Sequence, residues 1–480
     1  MNYKSIFYVT GIFLVILSIT MLFPALTDFA VGNNDWENFI VSALMTSFVG
    51  GFLILINSGG NFTITVREAF ILTSFSWLVI TFFAALPFWL AHEHINFTDA
   101  FFEAMSGLST TGSTVLTGLD FMPPGILLWR SILQWLGGIG IIVMALSIFP
   151  LLRVGGMQLF KTESSESEKV LPRAANLAGS IGVLYTFLTL CCAILYASNG
   201  MNGFDAVNHA MTTIATGGFS TYDASVGHFA NDSIRIIGFS FMVIAGLPFV
   251  LYLKGVRGDW KALFVDTQVR TFLGILLSAI SLMVIYLYYH ELYTLEQSLI
   301  QASFNITSVM TGTGYASADY MAWGSFAVGF MFFISFIGGC AGSTTCAIKI
   351  FRVQIIYSIA KTQIKQLLYP HGVFQPTYNK RTISSDIPLS VLSFVFVYGV
   401  CFIVAALILQ FLGLDYLTAM SGAATAISNV GPGLGDIIGP AGNFSSLPDP
   451  AKWVLSICML MGRLELFTVL VVFTPQFWTK

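Results

Sequence analysis

Residues 99–114 read Asp-Ala-Phe-Phe-Glu-Ala-Met-Ser-Gly-Leu-Ser-Thr-Thr-Gly-Ser-Thr. The stretch is moderately apolar and too short to cross a bilayer, which takes about 20 residues of helix. It ends on a glycine turn flanked by Thr and Ser. Its parts return later in the chain. Ala104-Met105-Ser106-Gly107 recurs as Ala419-Met420-Ser421-Gly422, and the spacing Asp-Ala-x-x-x-Ala-Met links Asp99–Met105 with Asp205–Met211. The turns read Thr110-Thr111-Gly112-Ser113, Ala215-Thr216-Gly217-Gly218, Met310-Thr311-Gly312-Thr313 and Asn429-Val430-Gly431-Pro432. Aligned on the Thr-Gly or Val-Gly step, the matched glycines are Gly112, Gly217, Gly312 and Gly431, roughly a hundred residues apart.

The surrounding chain is membrane material. Of 480 residues, 56% are hydrophobic and only 9% charged, with 44 Phe, 44 Gly and 15 Pro and a mean hydropathy of +0.80. An ordinary soluble domain carries about 25% charged residues. A net charge of −3 excludes a nucleic-acid binder, and the hydropathy excludes a disordered chain. Cys191, Cys192, Cys340, Cys346, Cys401 and Cys458 sit in apolar or glycine-rich stretches without metal-ligand spacing, so small buried hydrophobes account for them. Ten stretches are long enough to span: about 7–27, 39–57, 69–91, 125–152, 177–198, 233–254, 271–290, 323–350, 389–412 and 452–473. The first is expected to be an uncleaved helix rather than a leader.

Seventeen of the 21 basic residues fall on one set of connections, among them Lys4, Arg67, Arg153, Lys161, Lys169, Arg173, Lys349, Arg352, Lys361, Lys365, Lys380, Arg381 and Lys480. The other set, around 28–38, 92–124, 199–232, 291–322 and 413–451, contains no Lys or Arg. The positive-inside rule therefore predicts a multi-pass protein with both termini in the cytoplasm. The expected fold is all-α: a two-helix extension (1–66) and four helix–pore-helix–helix repeats (67–155, 156–256, 257–352 and 389–480) around a single pore. A cytoplasmic linker (353–388) separates the last two. Four re-entrant segments, about 97–110, 203–215, 295–310 and 415–428, would dip in from outside and return.

Irregular backbone at membrane depth survives only when buried in protein or lining a watery cavity. Glycine permits dihedrals that aim successive carbonyls to one side, and rings of carbonyls can replace the water around a cation. Each re-entrant helix would point the negative end of its dipole at the axis. Asp99, Asp205, Glu296 and Asp415 stand at or near the outer helix ends, where capping is the ordinary account of an acid. In repeat three, Gly338-Gly339-Cys340-Ala341-Gly342-Ser343-Thr344-Thr345 interrupts a span with small residues, which suit either a tight helix contact or a movable loop. Arg463 and Glu465 lie inside the last span, where charges face the interior and find partners.

These features resemble the Trk/Ktr/HKT superfamily of potassium transporters. The two leading spans and Phe102–Gly112 are most similar to its bacterial TrkH/TrkG branch. The resemblance implies potassium (and rubidium) uptake across the bacterial inner membrane, with no catalytic residues. It places an ion filter at Thr110–Ser113, Ala215–Gly218, Met310–Thr313 and Asn429–Pro432, and an intramembrane gate at Gly338–Thr345 with Arg463 beside it. It also implies a homodimer, contact with membrane lipid, and a cytosolic TrkA-type regulator that binds the nucleotide in place of this chain. In the HKT branch a Ser at the first filter glycine accompanies sodium preference; all four positions here are Gly. Val-Gly-Pro in repeat four predicts weaker selectivity than a strictly symmetric channel. Channel-like passage and proton- or sodium-coupled symport both stay open, as does a sodium-permeable transporter of the same fold. A broken-helix secondary transporter of another solute would need inverted repeats, whereas these run in one orientation. An intramembrane enzyme would need a Ser/His, paired-Asp or His-rich arrangement, and His209 stands alone in its segment.

Overall fold

Each of the four short segments starts its helix at a polar side chain that accepts the N–H of the third helical residue. The helices are Phe97–Leu108, Gly203–Ile214, Leu295–Thr311 and Tyr416–Ser428. Asn96, Asn202, Thr294 and Asp415 are the caps, accepting from the N–H groups of Asp99, Asp205, Gln297 and Thr418. This corrects the expectation for the acids, of which only Asp415 is a cap. Hydrogen bonds from Thr418 hold its carboxyl below the ordinary carboxylate range. Asp99 pairs with Lys452 of repeat four at 2.6 Å, and Asp205 accepts the hydroxyls of Thr221 and Tyr222, both at 2.7 Å.

The computed structural model describes residues 3–59, 65–91, 95–147, 152, 154–160, 170–379, 381–384 and 386–479. Of the bases expected inside, Arg153, Lys161, Lys169, Lys380 and Lys480 lie outside the described residues. Among the described residues, seven spans are unbroken: Tyr3–Val31, Trp36–Asn57, Val66–Leu90, Pro124–Leu146, Ala178–Ser198, Thr267–Tyr289 and Asp386–Phe411. Three of the expected spans differ. The span 233–254 bends by 90° between Asp232–Ala245 and Phe249–Val256, at Gly246-Leu247-Pro248, where Pro lacks the N–H a helix needs. The span 452–473 bends by 113° after Arg463, at Glu465, whose φ is +62°. The span 323–350 is helical only over Ser325–Ile334; the chain then runs irregularly until the helix Ile350–Leu368. That helix leads to a small antiparallel hairpin pairing Thr377 with Thr382 and Tyr378 with Arg381.

The leading helices pack into the body of the protein. Leu14 and Phe39 share a core with Trp77, Trp129 and Leu133 of repeat one and Leu455 and Met459 of repeat four. Asp28, fully buried, accepts the Gly125 N–H at 2.6 Å and so closes the start of the helix Pro124–Ser147 from another element. Within the extension, Gly11 and Gly50 let two backbones touch. A Cβ at Gly50 would lie 2.9 Å from the Gly11 oxygen, and one at Gly11 would lie 2.8 Å from the Gly50 oxygen. Gly50→Leu should therefore lower unfolding free energy in detergent by about 1–3 kcal/mol, the usual cost of overpacking. Gly51→Leu, with nothing within 4 Å of its Cβ position, should change little. Denaturation of the two variants side by side checks the contrast.

Candidate selectivity and gating site

The four re-entrant helices end in turns that share one backbone pattern. A first residue takes positive φ: Thr110 (52°), Thr216 (50°), Gly312 (73°) and Asn429 (54°). Two residues later a glycine takes positive φ again: Gly112 (86°), Gly218 (79°), Gly314 (81°) and Gly431 (103°). The equivalent glycines are therefore 112, 218, 314 and 431, which corrects the alignment on Gly217 and Gly312. Met310 and Thr311 belong to the third helix, and Ala215 is the residue that ends the second.

These glycines close a cycle. A Cβ at Gly112 would lie 2.2 Å from the carbonyl oxygen of Gly217, one at Gly218 1.8 Å from that of Thr313, one at Gly314 2.0 Å from that of Val430, and one at Gly431 2.9 Å from that of Thr111. Each glycine faces the carbonyl one residue before the equivalent glycine of the next repeat, in the order one, two, three, four, one. Any side chain there would strike backbone, and the positive φ already disfavours one. Outside this ring a cavity of about 140 Å³ is lined by Gly112, Gly218, Gly314, Pro432, Tyr222 and Asp223, among others.

Side chains behind the turns lock them together. Ser113 Oγ donates to the Gly431 carbonyl at 2.8 Å, and Asn429 Nδ2 donates to Thr111 Oγ1 and to the Met459 carbonyl, both at 2.9 Å. Arg130 and Glu103, both buried, form an ion pair at 2.7 Å. The same guanidinium donates to the Ser220 carbonyl at 2.7 Å and Thr114 Oγ1 at 2.8 Å, and lies 4.0 Å from the Phe219 ring centre. Glu103 also accepts the Val115 N–H at 2.9 Å. The pair thus clasps the outgoing strands of turns one and two. Gln134, on the same helix as Arg130, reaches the second turn. The sequence reading left all three residues without a role, although Arg130 and Gln134 stand inside an apolar span, where polar groups are costly and find a use.

The segment Gly338–Thr345 is irregular and wholly buried. A parallel bridge between Ile337 and Ile348 closes its base. Of the two readings of these small residues, the chain takes the loop, and backbone hydrogen bonds hold it. The Cys340 N–H donates to the Gly246 carbonyl at 3.0 Å, the Ala341 N–H to Gln268 at 3.0 Å, and the Phe249 N–H to the Gly342 carbonyl at 3.0 Å. The loop therefore rests on the bend of repeat two. Arg463, buried, donates to the Thr344 carbonyl at 3.0 Å, to Cys346 Sγ at 2.7 Å and to the Gly137 carbonyl at 2.9 Å, joining loop, repeat four and repeat one. Beside it Glu465 pairs with Arg352, which also donates to the Gly155 carbonyl at 3.0 Å and lies 3.7 Å from the Phe394 ring centre. Arg352 and Lys349, counted as loop bases in the sequence, are buried here. On the linker that follows, Lys361, Lys365 and Arg381 are exposed. The cavity among Thr345, Cys346, Lys349, Tyr398, Arg463 and Glu465 is about 10 Å³, barely the space of one water.

The TrkH family profile, described as "Cation transport protein", matches residues 36–480. The Trk system potassium uptake protein TrkI of Halomonas elongata is 48% identical, over 86% of this chain and 84% of its own. The Trk system potassium uptake protein TrkH of Escherichia coli is 35% identical over the whole of both chains. The crystal structure of the potassium transporter TrkH from Vibrio parahaemolyticus superposes with a TM-score of 0.92, at 35% identity, over the whole of both chains.

The Arg130–Glu103 pair sets an expectation for stability. Removing one partner of a buried pair strands the other and costs about 3–5 kcal/mol. Arg130→Met should sharply reduce the folded, inserted fraction, and Arg130→Met with Glu103→Gln should recover part of it. Melting in detergent of the single and double variants checks this.

Proposed function

The chain belongs to the TrkH family of cation transport proteins, and we propose that it takes up potassium through a filter built by its four glycine turns. The curated relatives named above are potassium uptake proteins, and the chain is a multi-pass membrane transporter of their fold rather than an enzyme. The observation that carries the reading is the cyclic contact of Gly112, Gly218, Gly314 and Gly431 with the carbonyls of Gly217, Thr313, Val430 and Thr111. Four equivalent carbonyls at one level can replace the hydration shell of a potassium or rubidium ion. The four helix C-termini behind them add negative potential. Of the windows 110–113, 215–218, 310–313 and 429–432, the filter residues are those that follow the helix ends, from Thr110, Thr216, Gly312 and Asn429 onward, and Gly314 joins them.

Gly338–Thr345 and Arg463 act as the gate. The loop's contacts with the repeat-two bend, together with the very small cavity beside Arg463, support a closed state. Arg463 adds a positive charge below the filter. At about 4 Å and an effective dielectric near 20, two unit charges interact by roughly 4 kcal/mol, enough to impede a cation. Opening is driven by a cytosolic, nucleotide-binding partner of the TrkA type that docks on the basic linker 353–388. The functional unit is a homodimer in the bacterial inner membrane, in contact with lipid, with both termini cytoplasmic. The extension 1–66 and the repeats 67–155, 156–256, 257–352 and 389–480 are its working parts.

Two experiments test the filter and the gate. Gly218→Ser and Gly314→Ser should each raise sodium relative to rubidium uptake into liposomes; an unchanged ratio in both variants removes the filter assignment. Arg463→Ala, which frees the loop from repeats one and four, should raise partner-free rubidium flux with the ion preference kept. Flux equal to the parent's, from inserted protein, would discard the gate.

A further inference from the structure

We infer that Gln134 is a positioning residue for ion selection, holding the ring carbonyl that repeat two supplies. This rests on the reading of the four turns as a filter and says which side chain sets the geometry of one quarter of it. Gln134 is fully buried on the helix Pro124–Ser147. Its Nε2 donates to the Gly217 carbonyl at 2.6 Å, and its Oε1 accepts the Phe219 N–H at 3.0 Å. Only one placement of the amide satisfies both bonds, because the Phe219 N–H requires an acceptor and the Gly217 carbonyl a donor. The two bonds bracket Gly218, the residue whose positive φ and missing side chain let the Thr313 carbonyl approach.

The arrangement sets repeat two apart. Of the four ring carbonyls, those of Thr111, Gly217, Thr313 and Val430, only that of Gly217 receives a side-chain hydrogen bond among the described residues. A carbonyl has two lone pairs, so one remains for a cation while the other is held. The bond fixes the direction of that carbonyl and draws off part of its negative charge. Loss of the bond acts on selectivity twice, in the same sense. A freed carbonyl can follow a smaller ion inward, and its stronger field favours the smaller, more tightly hydrated ion. Both effects favour sodium over potassium.

Gln134 also stands at a mechanical junction. Arg130, Gln134 and Gly137 follow at i, i+4 and i+7, the spacing of one helix face. That face meets the outgoing strands of turns one and two through Arg130, the ring through Gln134, and Arg463 through the Gly137 carbonyl. A side chain at Gly217 would collide with the Gln134 amide at 2.4 Å, so the contact is close-packed as well as hydrogen-bonded.

The test uses the full chain, expressed at matched membrane levels in bacteria lacking their own potassium uptake, with rubidium and sodium uptake measured in parallel. Gln134→Met keeps the length and removes both bonds. Gln134→Glu keeps the acceptor for Phe219 and replaces the donor with a carboxylate oxygen. Each should lower the rubidium-to-sodium ratio by about fivefold, the factor that the net contribution of one hydrogen bond sets. Gly218→Ser is the control for the filter itself. If both Gln134 variants keep the parent ratio while Gly218→Ser lowers it, the filter stands and the role of Gln134 is overturned. If Gly218→Ser also leaves the ratio unchanged, the filter reading falls and this inference with it. A proportional loss of both ions, or failure of both variants to reach the membrane, assigns Gln134 to folding alone and overturns the inference as well.

Discussion

Everything in this molecule depends on how backbone that is not helical is kept at membrane depth. Lipid offers no hydrogen bonds, so such segments must be enclosed by protein or line a cavity. Among the described residues they include the four turns after the re-entrant helices and the loop Gly338–Thr345. The turns enclose one another. Each brings a glycine against the next repeat's carbonyl, and that closeness is possible only without a Cβ. The loop is enclosed by the bend of repeat two, whose Ala245, Gly246 and Phe249 exchange bonds with it. The two kinds of irregularity thus follow from one constraint.

The buried charges follow the same logic. Arg130 meets Glu103 and two oxygens of turns one and two, while Arg352 meets Glu465 and the Gly155 carbonyl. Among the described residues Arg463 pairs with no carboxylate and is held by two carbonyls and a thiol. A buried charge satisfied mainly by dipoles keeps its field in its surroundings more than a neutralised pair does. The electropositive group is therefore concentrated near the loop, whereas the charge behind the outer turns is balanced by Glu103.

Much of this was legible in the residues. The re-entrant helices follow from their length, since 12 to 17 residues of moderate hydropathy fall short of the about 20 that a crossing takes. The resemblance to the TrkH/TrkG branch, read from the two leading spans and Phe102–Gly112, is borne out over the whole chain. The register of the turns was not legible. Repeats two and three each offer two glycines, at 217 and 218 and at 312 and 314; a Thr-Gly match selects Gly217 in the one and fits both glycines of the other. Which glycine takes positive φ at the ring is decided by the neighbouring repeat, a contact about a hundred residues away in sequence. The bends were missed because hydropathy sums apolar residues without regard to direction, although Gly246-Leu247-Pro248 spells a break. The burial of Arg352 and Lys349 was not legible because the positive-inside rule counts bases by connection and is blind to burial.

The four repeats also divide their labour unequally. Repeat one supplies an unbroken inner helix, Pro124–Ser147, fastened at its start by Asp28. The inner spans of the other three are interrupted: by Pro248, by the loop after Ile334, and at Glu465. Arg130 and Gln134 of the unbroken helix hold turns one and two, and its Gly137 carbonyl receives Arg463 from repeat four. Repeat four is tied in turn to repeat one by Asn429, which tolerates the left-handed backbone its position requires and spends its amide on Thr111. A ring in which one member is rigid and the others lean on it can keep its outer geometry while broken elements below it move. Strict fourfold symmetry would forbid that division, because a break in one inner span would then be a break in all.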